Sequence, residues 1–404
     1  MKSSPNPVTF LTGGTGLLGS HIGAQLLKNR SKTYFLTRPN HQMPAAARLQ
    51  NILDWHHIDP SFRANAHLIE SLPSKPITGI GRIIHCASDT SFSERHRRRV
   101  WSANVDFLQD LLDFAVRSRI PSFIHISTAY AAGRRSGPCP EEPITNDSFH
   151  NVYEESKAAA ERLLLDRCHS ANIRLTIVRP SIVYGHSRTG RTFRFNALYY
   201  PVKTALFLRK IYVEDIRERG GVRAAEAGVS LEPDGTTRLP LRIEVHEKGG
   251  VNLIPVDFFT DAFFAILQSS PDGGIYHIVN PGQTRIEDII GYAQDHFKLK
   301  GIKAAAPEEF RSKPPTSLEQ LYARYLEAYS PYIKDTRLFL TSKIDSILKP
   351  LKITCPPYDK NMFHLSMSYA VEHDWRVIAR PPSVIANEVK QSPSSRGNLP
   401  PKKG

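Results

Sequence analysis

A chain of 404 residues, 40% hydrophobic and 23% charged, can bury one large core and a smaller lobe, which excludes a disordered or fibrous protein. Its four cysteines (Cys86, Cys139, Cys168, Cys355) are far apart, and neither His-Glu-x-x-His nor a Cys/His cluster occurs, so we expect a reducing cytoplasm, no disulfide frame and no metal. The formal charge of +14 suggests nucleic acid, but no nucleic-acid module or aromatic-basic platform accompanies it.

The N-terminus is polar and proline-bearing, without an apolar signal segment, and no run reaches the roughly 20 apolar residues of a membrane span. The first strand is expected at Val8–Leu11, followed by Thr12-Gly13-Gly14-Thr15-Gly16-Leu17-Leu18-Gly19 and a helix over Leu17–Leu27. Strand, glycine turn and helix form the context a dinucleotide needs. Gly14 and Gly16 are expected to make the tight turn and admit a pyrophosphate, and Gly19 to let the helix pack closely. The helix N-terminus then offers free N–H groups to phosphate. Gly13, Thr15, Gly16, Leu17, Leu18 and Gly19 are therefore candidate cofactor contacts.

The second strand, Thr33–Thr37, ends at Arg38. An Asp or Glu there would bind a ribose 2′-hydroxyl, whereas Arg pairs with a 2′-phosphate. NADP(H) is expected over NAD(H), the plainer alternative being a surface Arg. Ile83–Cys86 reads as a third strand, and Arg95-His96-Arg97-Arg98-Arg99 follows it. That basic run either attracts an acidic partner near the cofactor mouth or is a solvated helix start.

Phe123–Ser127 is a strand ending in hydroxyls, Ser127 and Thr128, which serve either as strand-end caps or as donors to a reacting carbonyl. Tyr153-Glu154-Glu155-Ser156-Lys157 opens a helix running to about Leu165. Residues four apart share a face, so the Lys157 ammonium is expected to lower the Tyr153 pKa and suit it to proton donation. A solvated helix face would show the same spacing. Arg174–Val178 is the next strand. Beyond Gly185 the alternation breaks, with turn signals at Gly220-Gly221 and Pro233-Asp234-Gly235, before Ile275–Val279 rejoins the sheet. Phe195–Leu208 is apolar, aromatic and free of acids, hence either ordinary core or an acyl-chain groove at most peripherally docked to a membrane. From Pro381 the chain is Pro-, Ser- and Lys-bearing and aperiodic. Within it, Val384–Ser392 looks like read-through from a repetitive DNA element.

Taken together, these pieces resemble the extended short-chain dehydrogenase/reductase superfamily over most of residues 7 to about 280. Ile83-Ile84-His85-Cys86-Ala87-Ser88, Asn104-Val105 and Arg179-Pro180-Ser181-Ile182-Val183-Tyr184-Gly185 complete the pattern. Ser127-Thr128-Ala129-Tyr130, Arg179 to Gly190 and Asn252-Leu253-Ile254-Pro255-Val256-Asp257 resemble the thioester reductase and fatty acyl-CoA reductase branch. The resemblance implies an α/β fold, a Rossmann-type doubly wound parallel sheet with a smaller C-terminal substrate lobe. Its expected parts are residues 1–185 plus 251–280 (cofactor domain), 186–250 plus 281–365 (lobe) and 376–404 (disordered basic tail). It also implies that Ala87 and Ser88 lie against the cofactor and that Pro180, Ser181 and Ile182 border the nicotinamide. Tyr153 would protonate the carbonyl oxygen and Lys157 would hold the nicotinamide ribose. Thr128 would hydrogen-bond the oxygen, with Ser127 the lesser candidate, and Asn104 would order a water behind Lys157.

The reaction implied is NADPH-dependent reduction of an acyl thioester to aldehyde or alcohol. The same residues would serve a nucleotide-sugar epimerase or dehydratase, a hydroxysteroid-type dehydrogenase, or a non-catalytic NADP-binding regulator. Asn65–Ser71 departs from the family's Gly-Asp, leaving the adenine unassigned. Adenylation and carrier modules are absent from the sequence, so the acyl group is expected on a separate acidic acyl carrier protein or on coenzyme A. A homodimer is compatible with all of this.

Overall fold

The computed structural model describes residues 6–246, 249–270 and 272–375. The basic tail and the read-through-like run lie outside them. In chain order the elements that build the site are β1 (Val8–Thr12), α1 (Leu17–Lys28), β2 (Thr33–Leu36), α2 (Ala45–Trp55), β3 (Ala66–Ile69) and β4 (Ile80–His85). They continue with α3 (Phe107–Arg117), β5 (Ser122–Ile126), α4 (Val152–Ser170), β6 (Arg174–Pro180), β7 (Ile182–Tyr184) and α5 (Tyr199–Glu218). The last group is β8 (Thr237–Glu244), β9 (Gly250–Val251), β10 (Leu253–Pro255), α6 (Val256–Ser269), β11 (Gly274–Ile278), β12 (Thr284–Arg285), α7 (Ile286–Phe297) and β13 (Leu299–Ala305).

Seven strands form one parallel sheet in the order β11-β6-β5-β4-β1-β2-β3. Neighbouring residues along each central strand point to opposite faces, and both faces are covered, which is why these strands read as continuous apolar runs. Leu11, Ile84 and Ile124 pack into one core with α1 and α6, beside Phe259 and Phe263. Phe10, Ile83 and Phe123 pack into the opposite core with α3 and α4, beside Leu108 and Leu164. The strand order reverses at β1, between β2 and β4, and ligands of such sheets bind in the crevice that opens there at the carboxyl ends.

The edge strand β3 falls on Ala66–Ile69, inside the stretch that departs from the family pattern; all four of its residues are half-exposed. A third core gathers α5, α7, β8 and β13 around Leu208, Leu239, Ile290 and Ile302. The apolar run Phe195–Leu208 divides between two roles. Phe195, Tyr199 and Leu208 belong to that core, while Ala197 and Pro201 face a cavity described below. No helix among the described residues is long and apolar enough to cross a membrane.

Candidate active site

The chain turns at the end of β1 on Gly13, which holds φ +73. A Cβ there would stand 2.4 Å from the Ala87 amide nitrogen and 2.5 Å from the Cys86 carbonyl carbon. Only glycine can therefore bring the turn against the end of β4. The turn runs from Gly13 to Gly16, whose N–H donates to the Gly13 carbonyl at 2.8 Å, so Gly14 and Gly16 do lie in it, but the position whose backbone demands glycine is Gly13. Gly16 is the α1 N-cap at φ −87, and the space beside Gly14 is filled by the Phe35 ring, 2.7 Å from a Cβ there. Gly19 does serve close packing, since its Cβ would lie 2.3 Å from the Gly13 carbonyl oxygen. The α1 N-cap supplies no side-chain hydrogen bond, so the backbone N–H groups of Leu17 and Leu18 head the helix without a side-chain cap, while that of Gly19 meets the Cys86 sulfur. Thr12 Oγ1 clamps the two strand ends, lying 2.7 Å from His85 Nδ1 and accepting from the Ala87 N–H at 3.3 Å.

Arg38 lies exposed just past β2. Its neighbour is a residue that sequence reasoning missed: Arg48, on α2, donates to the Arg38 carbonyl at 2.5 Å and to Thr15 Oγ1 at 2.8 Å. Burial, and then the Arg38 charge, lower the Arg48 pKa. The Arg48 guanidinium thus sits at the glycine turn, while that of Arg38 lies over the Phe107 ring at 5.7 Å, near enough for its charge to be felt at Arg48; together they make this end of the site electropositive.

The second half of the site comes from β5 and α4. Asn151 caps α4, accepting from the Glu154 N–H at 3.0 Å, and this sets Tyr153 in the first helical turn. The Thr128 side chain hydrogen-bonds the Tyr153 phenol. Thr128 also acts as the strand-end cap, its Oγ1 accepting from the Tyr130 N–H at 3.3 Å. Burial raises the phenol above its ordinary value of 10, the Thr128 hydrogen bond opposing it only in part. The expected lowering by Lys157 is therefore reversed. The Lys157 ammonium donates to the Ile126 carbonyl at 2.6 Å, and burial lowers its own pKa to about 8. Beneath it, the His85 and His125 rings stack at 5.4 Å, both held neutral chiefly by burial.

Two further expectations are corrected. The Ser127 hydroxyl donates to the Glu161 carboxylate, itself ion-paired with Arg179 at 2.6 Å, so Ser127 is committed to a buried structural cluster rather than to a carbonyl at Thr128. Asn104 sits in a π-helical turn, Ser102–Asp106, a local widening often found at functional sites. Its Oδ1 accepts from the Ser88 hydroxyl at 3.1 Å and the Asp89 N–H at 2.8 Å. Its Nδ2 donates to the Asp89 carbonyl at 3.0 Å and to Ser156 Oγ at 2.9 Å. Both amide hydrogens and both carbonyl lone pairs are spent on protein, so this side chain ties the loop after β4 to α4 and has no capacity for a water.

The basic run after Phe92 is partly neutralised. Arg97 pairs with Glu94 and Glu155, and Arg99 with Asp89, each at 2.7–2.8 Å. Phe92 lies 5.8 Å from the Tyr153 ring, and both line a cavity of about 330 Å³ that also touches Leu17, Thr128, Ser181 and Ile182. Among the described residues, no charged side chain lines this cavity. The geometry offers a protonated phenol with a hydroxyl beside it, at the mouth of an apolar space and next to a turn shaped for phosphate.

A family model described as male sterility protein matches residues 11–73 and 70–263. Fatty acyl-CoA reductase 1 of Gallus gallus is 28% identical over 222 residues, which is 43% of this chain and 42% of that protein, so the chain spans less than half the length of this relative. Among solved structures, the terminal R domain from the myxalamid PKS-NRPS biosynthetic pathway superposes with a TM-score of 0.71 at 20% identity, covering 92% of both chains. UDP-glucuronic acid 4-epimerase from Bacillus cereus in complex with NAD gives 0.60 at 17% identity, covering 91% of this chain and 99% of the other.

Proposed function

Since the chain belongs to the male sterility protein family, within the extended short-chain dehydrogenase/reductase superfamily, we propose that it is an NADPH-dependent reductase of acyl thioesters. The observation that carries the reading is the uncharged cavity opening on Thr128 and Tyr153. A nucleotide-sugar would place a diphosphate there with no cation among the described lining residues to meet it, at a large desolvation cost. An acyl chain meets no such cost. The fatty acyl-CoA reductase relative supports the same substrate class.

Three features fit a nicotinamide dinucleotide. Gly13 holds the glycine turn tight against the end of β4 at Ala87, α1 presents N–H groups without a side-chain cap to a pyrophosphate, and Arg48 with Thr15, next to Arg38, suits a 2′-phosphate. When bound, the dinucleotide supplies the hydride. Pro180, Ser181 and Ile182 would border its nicotinamide, and Lys157 would hold the ribose. Thr128 orients the substrate carbonyl, and the Tyr153 phenol, kept protonated by burial, delivers its proton to the oxygen as hydride reaches the carbon. The carbon–sulfur bond of the tetrahedral adduct then breaks, the thiol leaves with a proton, and an aldehyde remains. The acyl group arrives on coenzyme A or on an acyl carrier protein.

The test is thioester-dependent loss of NADPH absorbance. Tyr153→Phe should keep cofactor binding and lose turnover by about 10² or more. Turnover of a UDP-sugar together with no NADPH consumption on any acyl thioester would refute the reading.

A further inference from the structure

The cavity extends well beyond the catalytic side chains. Ile286, Ile289, Ile290 and Ala293 of α7 all line it. Spaced i, i+3, i+4 and i+7, they form one unbroken stripe on a single helical face. At 1.5 Å per residue that stripe is about 10 Å long.

Strand registers give its direction. Ile182, which follows Pro180 and Ser181 at the catalytic end, pairs with Leu253. Two residues before it, Val251 pairs with Thr284, and the chain passes through Arg285 straight into Ile286. Ile286 is therefore the end of the stripe near Tyr153, and Ala293 is the far end. There the cavity meets Leu299 and Ile302 of β13. The chain reverses into β13 through Lys298 in a left-handed conformation, φ 49, and the Ile302 N–H is held by Gln294 Oε1 at 3.1 Å. The far wall is thus tied to the residue next to Ala293.

We propose that this stripe measures the acyl chain: with the thioester carbonyl at Thr128 and Tyr153, the chain runs from Ile286 toward Ala293, and Ala293, Leu299 and Ile302 set the longest chain accepted. The inference rests on the acyl-thioester reading above. The upstream positions of the stripe are isoleucines, and the one small side chain stands at its far end, where a chain terminus needs room. Among the described residues the lining has no charged group to pair with an ionised terminus, so the occupant is a simple apolar chain. A chain ending in a carboxylate is rejected.

Two readouts separate this inference from the reading beneath it. Acyl-CoA thioesters of increasing length are assayed for NADPH consumption. Straight-chain primary alcohols of the same lengths compete against an uncharged fluorescent alkyl probe, which needs no catalysis. Ala293→Phe is expected to lower the ratio of long-chain to short-chain kcat/KM at least tenfold, and to shorten the optimum in the competition series. Ala293→Leu gives a smaller shift in the same direction should the larger ring impair folding, and Ile302→Ala moves the optimum to longer chains. If wild type reduces thioesters but the Ala293 variants keep its length profile in both assays, the ruler is wrong and the reductase stands. If no thioester is reduced yet the competition profile shifts with Ala293, the ruler stands and the reductase falls.

Discussion

Replacing Lys157 with methionine isolates the cost of burying an ammonium. The side chain is 2% exposed, and burial pulls its pKa from 10.5 to about 8. In the unfolded chain the amine stays protonated up to its ordinary 10.5. Between about pH 8 and pH 10.5 the unfolded state therefore holds more protons, and stability climbs with pH. Below that window both states are charged and the penalty is complete; above it both are neutral and the penalty is gone. The fall from 10.5 to about 8, at ~1.36 kcal/mol for each tenfold change in the protonation equilibrium, corresponds to about 3 kcal/mol. Methionine carries no proton, so the unfolding free energy of wild type minus variant should rise by about 3 kcal/mol between roughly pH 7 and pH 10.5. Loss of the donor to the Ile126 carbonyl costs the variant about 1–3 kcal/mol at every pH, because the neutral amine also donates, and so leaves that slope unchanged. Paired urea unfolding curves across this range measure it. A difference that stays flat with pH would show that the ammonium keeps its water in the folded protein, and the argument from burial would fail.

Two further outcomes concern the cofactor end. Arg48→Ala should weaken NADPH about tenfold or more while leaving NADH nearly as before, given ~1.5–3 kcal/mol for a charge-assisted hydrogen bond; equal losses for both cofactors would remove Arg48 from the 2′-phosphate. Gly13→Ala places a side chain at φ +73, about 1–2 kcal/mol of strain, and against backbone atoms that cannot rotate away. It should lower the melting temperature by several degrees and weaken NADPH in a fluorescence titration, and an unchanged melt with unchanged affinity would count against the packing described at Ala87.

The central strands were legible because burial on both faces leaves a run such as Ile83-Ile84 or Phe123-Ile124 with no polar break. The edge strand Ala66–Ile69 was not, since half-exposed residues relax that requirement. Spacing put Tyr153 and Lys157 on one face, but spacing carries no information about depth, and depth decided the direction of both pKa shifts. With three glycines crowded into the turn, the pattern alone did not say which one takes the left-handed conformation. Arg48 was hidden for another reason: its position beside Thr15 depends on the path of the loop that carries the chain from β2 into α2. Asn104 was found by resemblance, but its role emerged only once its four hydrogen bonds could be counted.

The Phe35 ring lies 2.7 Å from where a Cβ would sit at Gly14 and again at Gly23. The second strand therefore moulds the glycine loop from below, three residues before the arginine expected to select the cofactor. Anyone who recodes Arg38 to probe its expected part in cofactor choice inherits this coupling. A swap that tilts the strand would press the ring into the loop and forfeit affinity for either dinucleotide, so selectivity must be rewritten with the aromatic wedge left in place.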